Sequence, residues 1–146
     1  MELHRLTLPA VAESIAPFRE FVRAGAIERG IASEQLEWLD LILEEILINV
    51  ARYAYAPGEG EVEVGYGPDG TGRLHIEIVD SGRLFNPLAV DPPDLSRGLA
   101  DRPIGGLGVF LVRSMVHSID YRREQDRNIL SFTFPGDPTA EARGPA

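Results

Sequence analysis

Three short segments hold residues whose types and spacing suit chemistry. In Asp80-Ser81-Gly82 a carboxylate stands at the end of an alternating apolar run. A buried carboxylate there can accept a hydrogen bond from an exocyclic amine, such as the adenine N6, and Gly82 lets a flat ring approach the backbone. In Gly105-Gly106-Leu107-Gly108 several backbone N–H groups open a helical pattern, and the positive end of a helix dipole makes such a segment an anion site. In Glu45-Ile46-Leu47-Ile48-Asn49 a carboxylate and a carboxamide lie four residues apart, on one side of a helix. Each segment alone has a plainer reading: a strand-end turn, a hinge, and a solvated helix glutamate beside an asparagine. The glycine spacing does not fit the dinucleotide-binding fingerprint, and no strand immediately precedes it.

The inventory of the 146 residues removes other chemistries. There is no cysteine, so disulfides, thiolate metal sites and cysteine nucleophiles are excluded. His4, His75 and His117 are scattered without metal-ligand spacing and read as structural. All 14 basic residues are arginine. A P-loop ATPase and a eukaryotic-type protein kinase both need a lysine on the phosphates, and Schiff-base chemistry needs one too. The net charge of −9 argues against nucleic acid. A triphosphate bound by so acidic a chain must be held by Mg²⁺, backbone amides and a few placed cations. No run approaches the ~18 apolar residues of a membrane helix, and the polar start does not read as a signal peptide. A cytoplasmic protein without membrane partners is expected.

The elements that position these segments follow from periodicity. Residues 3–8 form a weak edge strand. Ile15, Phe18, Phe21 and Val22 mark a helix over about 11–29, closed by Gly30. Ser33 suits the N-cap of a second helix running to about Tyr55, stopped by Pro57-Gly58. Its apolar stripe is Leu36, Leu39, Leu43, Ile46, Leu47, Val50 and Ala54. Glu45, Asn49 and Arg52 share the opposite arc with Trp38, Leu41 and Ile48, and so apolar an arc is expected to be covered. Two alternating strands at about 61–66 and 73–78 flank a Gly67–Gly72 turn. A proline-containing irregular stretch to about Gly106, a helix near 107–117 and a hairpin turning around Gln125-Asp126-Arg127-Asn128 follow. The expected fold is α+β, a two-layer α/β sandwich with a mixed, mostly antiparallel sheet and helices on one face. One domain spans 1–134, and the aperiodic 135–146 is an expected disordered tail.

With motifs and order together, the chain resembles the Bergerat-fold ATPases, the superfamily of gyrase and the histidine kinases. Glu45-Ile-Leu-Ile-Asn49 matches the N box, Asp80-Ser-Gly82 with Phe85-Asn86-Pro87 the D-x-G box, and Gly105-Gly106-Leu107-Gly108 the second glycine box. Within it the chain is most similar to the small bacterial anti-sigma-factor serine kinases, over about residues 3–134. That likeness rests on Asn49-Val-Ala-Arg52-Tyr-Ala-Tyr55, Phe85-Asn-Pro and Leu111-Val-Arg113 before the closing hairpin. The resemblance implies ATP and Mg²⁺ as cofactors. It casts Glu45 as general base toward a seryl or threonyl hydroxyl, Asn49 as the Mg²⁺ ligand and Asp80 as the adenine acceptor. Gly82 and Phe85 shape the base pocket. Gly105, Gly106, Leu107 and Gly108 hold the phosphate loop, and the stretch between Asn86 and Gly105 forms a lid. Arg52, Arg97 and Arg102 are the expected phosphate cations. Where the family often continues Phe-Asp-Pro, this chain has Asn86, also a good turn former.

The implied partners are an anti-anti-sigma (STAS-type) protein and a sigma factor or analogous regulator, with a homodimer as the implied assembly. Two alternatives keep the same fold: an ATP-dependent protein-binding switch without transfer, and a stand-alone histidine kinase catalytic domain. Against the latter, no preceding dimerisation helix bears a phosphorylatable histidine, and His4 falls in a predicted strand.

Overall fold

The computed structural model describes residues 2–86 and 112–135. The expected lid, the second glycine box with Gly105, Gly106, Leu107 and Gly108, Arg97, Arg102, and residues 136–146 lie outside the described residues. The elements are β1 (His4–Pro9), α1 (Ile15–Glu28), α2 (Ser33–Asn49), β2 (Glu61–Pro68), β3 (Leu74–Asp80), β4 (Ser118–Glu124) and β5 (Arg127–Phe134). A 3₁₀ turn, Ala12–Ser14, leads into α1, and a π turn, Val50–Ala54, continues α2. Residues 112–115 are helical. No described helix is long and apolar enough to cross a membrane.

Five strands form one sheet in the order β1-β2-β3-β5-β4. All four pairings are antiparallel, so among the described residues the mixed sheet expected from sequence is wholly antiparallel. Alternation sends every second residue to one face. Two rows of that face run His4–Tyr66–Ile76–Phe132–Ile119 and Leu6–Val64–Ile78–Leu130–Tyr121. They pack with Phe18, Val22, Leu39, Leu43 and Ile46 of α1 and α2 into one core. The other face carries Arg5, Glu63, Glu77 and His75, where Arg5 pairs with Glu63 at 2.7 Å. His75 therefore faces away from the core, as its alternation predicts.

Several local expectations shift. Gly30 closes α1 at φ +78°, a conformation glycine adopts without cost. Ser33 is the first residue of α2, and Ala32 is its N-cap without a side-chain bond. The regular helix ends at Asn49 rather than near Tyr55, because the backbone widens into the π turn. Ile42 joins the buried stripe, whereas Trp38 and Leu41 remain 48% and 43% exposed. Two helix positions thus differ sharply. Leu43→Ala should lower the unfolding free energy by about 2–5 kcal/mol by opening a cavity, while Trp38→Ala should stay within about 0.5 kcal/mol. Denaturant titration of both variants checks this, and equal losses would contradict the packing.

Candidate functional site

The third row of the covered face is where the core turns polar. It runs Leu8–Val62–Asp80–Asn128–Arg123 across the sheet. Asp80 and Asn128 are only 7% and 5% exposed. Buried polar groups need partners, and these two supply them to each other. Asn128 Nδ2 donates to Asp80 Oδ1 at 2.9 Å, and the Gly82 N–H donates to the same oxygen at 2.9 Å.

The end of α2 meets this row from above. The Arg83 N–H donates to the Ala54 carbonyl at 2.9 Å. Gly82 packs so close that a Cβ there would lie 2.2 Å from the same carbonyl oxygen. The end of the π turn therefore fills the side of Gly82 on which a side chain would stand. The Tyr55 hydroxyl accepts from the Ser81 N–H at 2.7 Å and donates to the Glu61 carbonyl at 2.6 Å. Burial pushes its ionisation up. These contacts join the N-box helix to the D-x-G segment.

Asn49, Asp80 and Phe85 line one cavity of about 30 Å³, together with Ile46, Val50 and Tyr121. The π turn begins directly after Asn49, and such turns often accompany functional positions. Asn49 is 5% exposed, and its Oδ1 has no hydrogen-bond partner among the described residues. Glu45, one turn earlier and half-buried, also has a buried oxygen, Oε1, without a partner. Burial holds its carboxyl above the usual carboxylate range, and the nearby Asn49 side chain and Arg52 pull it back. Arg52 is exposed and reaches Glu45 through its field. Phe85 is half-buried and tilts against Tyr53 with ring centres 6.1 Å apart. The structure therefore gathers Asn49, Asp80 and Phe85 in one cavity, sets Glu45 and Arg52 beside it on the helix, and puts Gly82 behind it.

Sequence alone puts Asn128 in the turn of the closing hairpin. The turn is only Gln125-Asp126, both left-handed at φ 50° and 61°, so Asn128 is already in the strand. Such a loop favours Asn-Gly or Asp-Gly, and Gln125-Asp126 carries no glycine to announce it.

The profile of the histidine kinase-like ATPase domain matches residues 8–134. The chain belongs to that family. Among relatives in the family, the serine-protein kinase RsbW of Bacillus mycoides strain KBAB4 is 26% identical over 129 residues, covering 86% of this chain and 80% of the relative. RsbW of Bacillus cereus strain AH820 is 28% identical over the same span. The fold is similar to the histidine kinase domain from the Erythrobacter litoralis EL346 blue-light activated histidine kinase, with TM-score 0.54 at 14% identity. That match covers 83% of this chain and 60% of the other. The Acinetobacter baumannii histidine kinase AdeS matches with TM-score 0.51 at 12% identity, over 94% of this chain and 70% of the other. An α+β sandwich of the histidine kinase-like ATPase family is thus the fold of this chain.

Two outcomes follow from the family's N-box and D-x-G elements as seen here. Gly82→Ala should cost about 1–3 kcal/mol, since backbone must move to admit a methyl group; a melt unchanged from wild type would refute the close approach. A carboxyl that binds its proton more tightly when folded contributes stability that is complete below its unfolded value near 4.5 and lost as pH rises through the folded one. Glu45→Gln cannot ionise. Its thermal midpoint relative to wild type should therefore climb as the pH rises above about 4.5, and a flat or falling difference would contradict it.

Proposed function

We propose that this chain is an ATP-dependent protein serine/threonine kinase of the anti-sigma-factor type. It would phosphorylate an anti-anti-sigma partner and sequester a sigma factor or similar regulator, acting in the cytoplasm as a homodimer. The observation that carries the reading is the juxtaposition on one helix of Glu45, with a raised and partly unpaired carboxyl, and Asn49, with an orphaned buried amide oxygen on a residue that lines the cavity of Asp80. The serine-protein kinase names of the relatives support the same class.

In this reading Asn49 Oδ1 is the protein's ligand to Mg²⁺. A buried amide oxygen without a donor fits a hard cation that prefers oxygen and keeps most of its shell for phosphates and water. When bound, the ion neutralises charge developing on the transferred phosphoryl group. Asp80 accepts the adenine amine, and Phe85 borders the base pocket. Arg52 supplies positive charge near the phosphates, as Arg97 and Arg102 would from the lid, with the backbone of Gly105, Gly106, Leu107 and Gly108 cradling them. Glu45 would take the proton from the partner's hydroxyl as the hydroxyl oxygen bonds to the γ-phosphorus and the bond to the β–γ bridging oxygen breaks, with ADP as the leaving group. The carboxyl's raised affinity for protons suits that task.

Glu45→Gln should lower phosphoryl transfer to an anti-anti-sigma partner by about 10²–10⁴-fold while ATP affinity stays near wild type. Asn49→Ala should abolish the Mg²⁺ dependence of ATP binding. Label transfer from γ-labelled ATP and calorimetric titration measure the two. Unimpaired transfer by Glu45→Gln would remove the general-base role. Wild-type complex formation without label transfer would turn the reading to a non-transferring switch.

A further inference from the structure

The outward side of α2 carries an apolar line with the proposed base set into it. Trp38, Leu41, Glu45 and Ile48 follow one another at steps of three and four residues within Ser33–Asn49, so they stack along one side of the helix. Trp38 and Leu41 are exposed, while Glu45 and Ile48 are half-buried. The ion pairs that tie α1 to α2, Arg23 with Asp40 at 2.6 Å and Arg19 with Glu44 at 3.4 Å, lie on the flank of the helix and leave Trp38 and Leu41 open to solvent. Exposed apolar side chains scattered singly need no explanation, whereas neighbours one helical turn apart mark a surface made to be covered.

What covers it follows from the group it contains. A general base acts only on a hydroxyl brought within hydrogen-bond reach, so the protein that carries the hydroxyl must lie over α2 at Glu45. Leu41, one turn before Glu45, and Ile48, one turn after it, are then the first surfaces it meets, and Trp38 is the next. Glu34 and Glu37, both exposed, precede this line on the same side of the helix and give its N-terminal end a negative rim. A second copy of this chain seated by the same face would set its carboxylates against these, which is unfavourable, and would close Glu45 to any hydroxyl.

We propose that Trp38, Leu41 and Ile48 form the docking surface for the protein substrate, which seats apolar side chains beside its acceptor hydroxyl and basic side chains over Glu34 and Glu37. The surface rests on the kinase reading of Glu45. Trp38 is its anchor, since a large rigid aromatic contributes most where it is desolvated at an interface. None of the three touches the reacting atoms; they supply affinity and bring the hydroxyl to Glu45.

Trp38 is the only tryptophan of the chain, so its fluorescence reports this surface directly. The probes are the purified STAS-type proteins of the same organism, with any tryptophan of their own replaced by phenylalanine. In the presence of Mg·ADP the one that serves as acceptor should move the Trp38 emission to shorter wavelength, as the indole leaves water; an unmoved spectrum at saturation would overturn the surface. In steady-state label transfer, Trp38→Ala should raise the KM for that acceptor by about tenfold and Leu41→Ala by about threefold, the scale of an anchor and a lesser contact. Maximal kcat and Mg·ATP affinity should stay within about twofold of wild type, because uniform binding alone is lost. Glu34→Gln combined with Glu37→Gln should raise KM at low salt and match wild type at high salt. Circular dichroism and thermal melts confirm that each variant is folded. If Trp38→Ala and Leu41→Ala keep the wild-type KM while transfer continues, the acceptor docks elsewhere and the proposal falls with the kinase reading intact. If kcat or Mg·ATP affinity drops along with KM, the line serves the nucleotide site and the docking role is overturned. If wild type transfers label to none of the probes, the kinase reading falls and takes the surface with it, a result that unchanged KM values cannot mimic.

Discussion

Everything at the cavity depends on one contact, the seating of the widened end of α2 on the Ser81–Arg83 backbone. The Ala54 carbonyl takes the Arg83 N–H, and Gly82 lies too close beneath it for any side chain. Tyr55 fastens the same helix end to Ser81 and to Glu61. Glu45 and Asn49 belong to the helix, and Asp80 belongs to the sheet. This seam, with the core packing of α2 on the sheet, fixes the separation between the proposed phosphate end and the proposed base end. Phosphoryl transfer is chiefly positioning and charge neutralisation, so a seam of backbone hydrogen bonds at van der Waals contact is a suitable foundation for it.

The molecule treats its buried polar groups in two contrasting ways. Along the Asp80–Asn128–Arg123 row almost every donor has an acceptor, and the row is locked. One turn apart on the helix, Asn49 Oδ1 and Glu45 Oε1 are buried without partners among the described residues. Leaving such groups unpaired costs about 1–3 kcal/mol each. A satisfied network rigidifies, and an unsatisfied pair is a standing demand for a ligand. The satisfied row holds the Asp80 carboxylate still; the unsatisfied pair stands where the proposed ion and transferred proton would be. Stability is thus conceded where the chemistry is proposed and recovered in the brace beside it.

Much of this was legible beforehand in particular residues. Asp80 ends an alternating run, and strand periodicity alone places it at a strand terminus. Glu45 and Asn49 share a helix side by spacing. Gly30 marks its helix end because only a residue free at positive φ closes it cheaply. Other features were hidden for physical reasons. The π turn has no sequence period of its own, since one extra backbone unit per turn leaves the local pattern almost unchanged. Asn128 was invisible because hairpin register depends on turn length, and a loop of two residues rather than four moves it from the turn into the buried row. Trp38 and Leu41 misled in the opposite sense: apolar residues on a helix predict a cover, yet both remain exposed.

The amino-acid sequence by itself determined the lysine-free inventory, the motif order, the antiparallel hairpins and the identities of Glu45, Asn49 and Asp80. These are properties of residue type and short-range spacing, which a linear reading preserves. Only the tertiary structure decided that Gly82 packs against the helix end, that Asn49 is buried with an orphaned oxygen, and that Asn128 hydrogen-bonds Asp80. Those facts come from strand register and helix docking, which bring together residues 28 to 48 positions apart in the chain. Distance in sequence carries no information about such encounters until the core has formed.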